Sequence, residues 1–190
     1  MVYVSLLAIF GLAVSDSKPA MGIRSGGCRP MAMESAIFIE STNYDERPES
    51  MTVDTVVVHA TVIPTVEQTV LHFRSPETKV SAHYVVGRDG EIVQMVPDEN
   101  RAWHAGVSEL GDRKRLNDFS VGIEIVNLND GIEPFTDAQY QAVANIIKHL
   151  RKTYTITDDR IVSHEEIARP RGRKNDPKGF DFNKLKELAK

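Results

Sequence analysis

The run Val53-Asp54-Thr55-Val56-Val57-Val58-His59-Ala60-Thr61 is β-branched at five of its first six positions and carries no polar/apolar alternation from Thr55 to Val58. Such a run suits a strand covered on both faces, the situation of a parallel strand in an α/β sheet. His59 closes the strand at its carboxyl end, the edge of an open α/β sheet where ligands ordinarily bind.

Downstream, the elements fall into a pattern that surrounds such a strand. Thr65-Val66-Glu67-Gln68 has capping-box spacing after Pro64, and Val66, Val70 and Phe73 supply the apolar stripe of a short helix. Ala82 to Val86 and Glu91 to Val96 read as strands, with the Asp89-Gly90 turn between them marking a hairpin. Ser120 to Val126 is a further strand, and Thr136-Asp137-Ala138-Gln139 is a second capping box that opens a long helix. On that helix Ala138, Val143, Ile146, Ile147, Leu150 and Tyr154 share a face, which packs on the sheet. Arg160 to Ser163 makes a last short strand ending at His164, and Phe182 to Leu188 suits a terminal helix. The expected class is α/β, a central mixed β-sheet flanked by helices.

At 190 residues the chain is long enough to bury a core without disulfides or a structural metal. Its net charge of -4 gives no broad basic field, so nucleic acid is not an expected partner. A single cysteine, Cys28, rules out an intramolecular disulfide and argues against cysteine-ligated zinc. The apolar run Val2 to Val14 is too short to span a bilayer but has the length of a signal-peptide core. Residues 1–15 are therefore read as a signal peptide, 16–50 as an irregular lead-in and 51–190 as the compact domain. Export to the periplasm or cell envelope follows, the alternative being a cytoplasmic protein started at Met21, Met31 or Met33. Cys28 lies well beyond the apolar run, whereas a lipid-modified cysteine directly follows it.

Candidate chemistry lies in His59, His164 and Asp176. Two imidazoles and a carboxylate make a three-ligand zinc set that leaves the fourth tetrahedral position open, as in hydrolytic rather than structural sites. Both histidines end predicted strands, so adjacent parallel strands would bring them to one sheet edge. Pro177 biases Asp176 toward extended backbone, and there Lys174 and Asp176 project to the same side. Singly, a histidine at a strand end is ordinarily a core or surface residue, and an Asp before Pro is ordinarily a turn. Glu124 shifts the balance. It interrupts the apolar strand Val121-Gly122-Ile123-Glu124-Ile125-Val126, where an uncompensated carboxylate costs several kcal/mol to bury or becomes protonated. A metal site beside it would compensate that charge, and the carboxylate could then serve as general base and general acid. The alternative is a Glu facing solvent from an edge strand.

These residues stand in blocks that resemble the type 2 N-acetylmuramoyl-L-alanine amidases: Val57 to Thr61, Ser81-Ala82-His83-Tyr84, Arg88-Asp89-Gly90, Ala102-Trp103-His104-Ala105-Gly106, Ser120 to Glu124, and Ser163-His164 through Lys174-Asn175-Asp176-Pro177. Peptidoglycan recognition proteins and an amidase lysozyme of phage share the fold, and the resemblance covers roughly residues 40 to 190. It implies one zinc ion on His59, His164 and Asp176, Glu124 as acid/base, and Lys174 as the cation facing the oxyanion. The implied reaction is hydrolysis of the amide between the lactyl group of N-acetylmuramic acid and L-alanine, in peptidoglycan or muropeptides.

Against many relatives the loop Arg169-Pro170-Arg171-Gly172-Arg173 is extended, so Arg171 or Arg173 could take the place of Lys174, or bind stem-peptide carboxylates. Trp103 and His104 are candidate groove residues for sugar or peptide, with packing the competing role for Trp103. His83 is read as structural or as a support behind the site, and His72 and His149 as helical residues without a partner. The expected protein is a monomer that meets a peptidoglycan or muropeptide substrate, with no transmembrane helix when mature. A non-catalytic peptidoglycan-binding module is the alternative. A zinc peptidase of another fold is disfavoured by the absence of a His-Glu-x-x-His helix.

Overall fold

The structure, a computed structural model, describes residues 36–190. The signal-peptide reading of residues 1–15 and Cys28 both lie outside the described residues. In chain order the strands are β1 (Ile37–Phe38), β2 (Tyr44–Glu46), β3 (Thr55–Ala60), β4 (Tyr84–Val86), β5 (Ile92–Gln94), β6 (Asn100–Ala102), β7 (Glu109–Leu110), β8 (Arg113–Lys114), β9 (Ser120–Ile125) and β10 (Ile161–Ser163). The α-helices are α1 (Val66–Arg74), α2 (Asp137–Leu150), α3 (His164–Ile167) and α4 (Phe182–Leu188).

Six strands form one mixed sheet in the order β1-β5-β4-β9-β3-β10. Strands β4, β9, β3 and β10 run parallel, while β5 runs against β4 through the turn at Asp89-Gly90 and β1 runs parallel to β5. The β-branched run at 55–58 forms β3, which has parallel neighbours on both sides and is buried along its whole length. Alternation sorts its side chains. Val56 and Val58, with Val121, Ile123 and Ile125 of β9 and Tyr84 and Val86 of β4, join Val143, Ile146, Ile147 and Leu150 of α2 and Leu185 of α4 in the main core. The opposite face carries Thr55, Val57 and His59 from β3, and Ser120, Gly122 and Glu124 from β9. Smaller apolar clusters cover this face at its two sides: Val66, Val70 and Phe73 of α1 against Val85, Val93 and Met95, and Val57 and Val162 against Leu116, Phe119 and Ile167.

The local signals explain where the long helix begins. Thr136 caps α2 with a full capping box, its hydroxyl accepting from Gln139 N and its own N–H bonding Gln139 Oε1. The Gln139 amide also donates to Val126 O at 2.8 Å, tying the helix start to the end of β9. Thr65 caps α1 through its hydroxyl, which accepts from Gln68 N at 3.2 Å.

Two strands lie inside the stretch read as an irregular lead-in. β1 extends the main sheet at its edge, and β2 pairs antiparallel with β6. Strands of two or three residues have no measurable period, and their pairing is long-range, so local sequence does not reveal them. The lead-in also brings Arg47, half-buried, whose guanidinium donates to the carbonyls of Asn117 at 2.8 Å, Ser120 at 2.9 Å and Asp98 at 3.2 Å. Burial away from water pushes Arg47 down to about 10, and the acidic groups of Tyr154, Asp98 and Asp118 only partly oppose this.

Asp98, buried beside this cation, accepts from the Tyr84 hydroxyl at 2.8 Å. Burial pushes its carboxyl up to about 6, and the Tyr84 bond only partly opposes this. Between the ordinary Asp value of about 4 and that raised value the folded state holds a proton that the unfolded state has lost, so this group makes stability fall as pH rises through the window. Asp98→Asn keeps an acceptor for Tyr84 and removes the titration. Its stability relative to the parent is expected to rise from pH 4 to pH 6.5 by about 2 kcal/mol, at 1.36 kcal/mol per pKa unit. Denaturant titrations showing a pH-independent difference would contradict this.

Candidate metal centre

The parallel register places the two histidines. His59 pairs with Glu124 across β3 and β9, and Val58 pairs with Ser163 across β3 and β10, so His164 follows at the same level of the sheet edge. Ser163 caps α3, accepting from Glu166 N at 3.0 Å, and the turn into this helix swings His164 toward His59. The imidazole centroids are 4.5 Å apart.

Asp176 arrives from the loop after α3 and is held on both sides. Its own carbonyl accepts from Glu165 N at 3.0 Å. The Asn129 side chain, from the loop after β9, donates to Asn175 Oδ1 at 3.0 Å and accepts from Lys178 N at 2.6 Å, bracketing Asp176 and Pro177. Asp176 Oδ2 consequently stands 3.1 Å from His164 Nδ1 and 3.5 Å from His59 Nδ1.

All three groups are buried, and among the described residues they are the one set of three whose ligand atoms lie together, within 4.8 Å of one another. Their spacing suits a metal ion. Bonds of about 2.0–2.1 Å in a tetrahedron set neighbouring ligand atoms about 3.3 Å apart, between the two distances seen here. The donor chemistry also fits. His59 is pushed down to about 4 by burial and by the nearby His164, so its ring is neutral and able to ligate. Burial pulls the Asp176 carboxyl upward, but the imidazoles, with the 3.1 Å hydrogen bond to His164 foremost, outweigh it and hold the group well below the usual carboxylate range. The neutral His59 ring, a second imidazole from His164 and an ionised carboxylate are a competent set for a divalent ion.

Glu124 lies on the same face of the sheet as His59. Its Oε2 is buried with no hydrogen-bond partner, and burial, followed by the negative charge of Asp176, pushes the carboxyl up to about 8. Lys174 opposes that shift. An orphaned buried carboxyl oxygen is rare in a folded protein and is a strong sign of a group awaiting a partner. His59 stands next to it, and His164, Asp176, Lys174, His104 and Trp103 line the same cleft of about 240 Å³.

The remaining sequence candidates divide clearly. Lys174 is exposed and lines the cleft, while Arg173 is spent on the carbonyls of Arg169, Ala105 and Val107 at 2.9, 3.2 and 2.8 Å. Arg171 is exposed and does not line the cleft. Trp103 lines it, with its indole donating to Asp45 Oδ1 at 3.2 Å. His104 touches the cleft but is buried, with both ring nitrogens engaged by His59 and Ser120. His83 is buried and accepts from Gly122 N at 3.0 Å through Nδ1. His72, read from sequence as a helical residue without a role, stands at the cleft rim because α1 packs beside it. Arg47 and Asn117, which frame the site from behind, carried no local signal, since each acts through contacts distant in sequence.

Comparison with known proteins agrees with this geometry. The sequence profile of the N-acetylmuramoyl-L-alanine amidases matches residues 49–179. The 1,6-anhydro-N-acetylmuramyl-L-alanine amidase AmpD of Salmonella typhimurium is 36% identical over 171 residues, covering 80% of this chain and 88% of that protein. A crystal structure of an AmpD derivative superposes with a TM-score of 0.72 at 34% identity, over 84% of this chain and 97% of that one. The E. coli amidase AmiD, solved in complex with anhydro-N-acetylmuramic acid-L-Ala-D-γ-Glu-L-Lys, superposes with a TM-score of 0.65 at 29% identity, over 76% of this chain and 61% of that one.

Asp176→Ala is expected to lower affinity for a divalent transition metal by at least 100-fold while leaving the fold intact, because it removes the charged member of the donor set. Chelator competition alongside circular dichroism tests this, and stoichiometric tight binding by the variant would remove Asp176 from the set.

Proposed function

This chain belongs to the N-acetylmuramoyl-L-alanine amidase family and is an enzyme of that kind, and we propose that zinc held by His59, His164 and Asp176 serves the reaction and that the substrate is a muropeptide. The observation that carries this reading is the orphaned Glu124 carboxyl opening on the same cleft as the ligand set. The relatives named for 1,6-anhydro-N-acetylmuramyl substrates span most of their length on this chain, and the AmiD complex holds an anhydro-muropeptide. Both support an anhydro-muramyl peptide as the substrate class.

Zinc, when bound, supplies Lewis acidity toward a carbonyl oxygen and toward water. The chain's own residues do the rest. Glu124 takes a proton from the water that attacks the lactyl carbonyl carbon. As the carbon–nitrogen bond breaks, it returns that proton to the departing L-alanine nitrogen, leaving a lactyl carboxylate and a free amine. An environment that raises the affinity of this carboxyl for a proton favours its work as base and then acid. The Lys174 ammonium places a point charge where the carbonyl oxygen becomes negative. A purely binding role fits poorly, because a binding groove has no use for a buried carboxyl without a partner.

Glu124→Gln preserves shape and removes the proton acceptor. It is expected to retain one equivalent of zinc while kcat for stem-peptide release falls by roughly 10²–10⁴, the contribution of general acid–base catalysis. Chromatography of the released peptide together with metal analysis checks both halves, and near-normal turnover would refute the role of Glu124.

A further inference from the structure

His104 has no part in the chemistry above, yet its surroundings are built around it. Its ring crosses that of His59 edge-on, with centroids 5.1 Å apart. Nδ1 lies 3.0 Å from His59 Nε2, and Nε2 lies 3.1 Å from Ser120 Oγ. A Cβ at position 122 would collide with the ring, so only glycine leaves it room. Asn117 Oδ1 accepts from the backbone N–H groups of His104 and Ala105 at 3.2 and 2.8 Å. Arg47 in turn fixes the carbonyls of Asn117 and Ser120.

The proton positions along this chain follow from its far end. The Ser120 hydroxyl donates its single proton to the Leu116 carbonyl at 2.5 Å, so toward His104 it can only accept. His104 Nε2 must therefore carry a hydrogen. With no carboxylate bonded to it, the buried ring is neutral and has one N–H, which leaves Nδ1 bare as an acceptor. The proton in the 3.0 Å contact then belongs to His59 Nε2, and His59 Nδ1 is bare. That is the atom facing Asp176 Oδ2 at 3.5 Å.

We infer that His104 is a positioning residue which, with Ser120 and the Leu116 carbonyl, locks His59 in the Nε2–H tautomer and presents its bare Nδ1 to the metal. This rests on the zinc reading above. Metal-ligating histidines ordinarily donate their second N–H to a carboxylate, a backbone carbonyl or water. Here the acceptor is a neutral imidazole, which orients the ligand without adding negative charge to the site. His164 has no such support, since its Nε2 is buried without a partner.

Long-range proton–nitrogen NMR on the metal-free protein tests the tautomers directly. His59 and His104 are both expected as single Nε2–H forms, and Ser120→Ala is expected to give His104 a mixture of tautomers. In chelator competition His104→Phe should bind zinc about 10–100-fold more weakly at unchanged fold. His104→Asn, whose amide oxygen stands where Nδ1 stood, should recover most of that loss. Either ring appearing as Nδ1–H in the metal-free protein, or His104→Phe binding zinc as tightly as the parent, would overturn the inference. If His104→Phe does not fold, Ser120→Ala and His104→Asn still decide it. Failure of the parent to bind zinc would count against the metal reading, while the tautomers of the metal-free protein would still decide the role of His104.

Discussion

The parallel register between β9, β3 and β10 is the constraint on which this molecule depends. Strand side chains alternate, so one sheet face takes Val56, Val58, Val121, Ile123 and Ile125 into the core against α2, and the other receives His59 and Glu124 as directly paired neighbours. A slip of one residue in either strand would send the histidine or the carboxylate into the apolar core, at a cost of several kcal/mol for an unpaired charge. The core that stabilises the fold therefore also fixes the site, and His164 and Asp176 need only short local devices to complete it.

Those devices are polar and local to the carboxyl edge of the sheet. The Ser163 cap turns the chain at His164, and the backbone bond from Glu165 and the Asn129 side chain hold Asp176 in place. Behind the site a second polar layer runs from Arg47 through Asn117 and Ser120 to His104. Through it the segment before the central strand reaches the site, and a half-buried guanidinium satisfied by carbonyls ties the turn at Asp98 to the stretch from Asn117 to Ser120.

Much of this was legible in the sequence because it rests on short-range rules. The β-branched run at 55–58, the Asp89-Gly90 turn, the Thr136 capping box and the terminal helix at Phe182–Leu188 all lie where local chemistry puts them. Glu124 stood out because a carboxylate interrupts an apolar strand, and Pro177 directed attention to Asp176. The strands at Ile37–Phe38 and Tyr44–Glu46, the supporting role of Arg47 and the engagement of His104 by His59 were not legible. Each depends on partners dozens of residues away, and neither propensity nor periodicity records such pairings. The arginine-rich loop left open which cation faces the cleft, and the carbonyls that occupy Arg173 supply the distinction in favour of Lys174.

On the proposed function, His59, His164, Asp176 and Glu124 together hydrolyse the lactyl–alanine amide with a metal ion bound. The most direct measurement incubates the zinc-loaded protein with an anhydro-muramyl tripeptide in oxygen-18 water and analyses both products by mass spectrometry. One heavy oxygen is expected in the lactyl carboxylate, with an unlabelled stem peptide carrying a free L-alanine amine and no reaction after complete removal of metal. Cleavage at any other bond, or undiminished turnover by the metal-free protein, would contradict it.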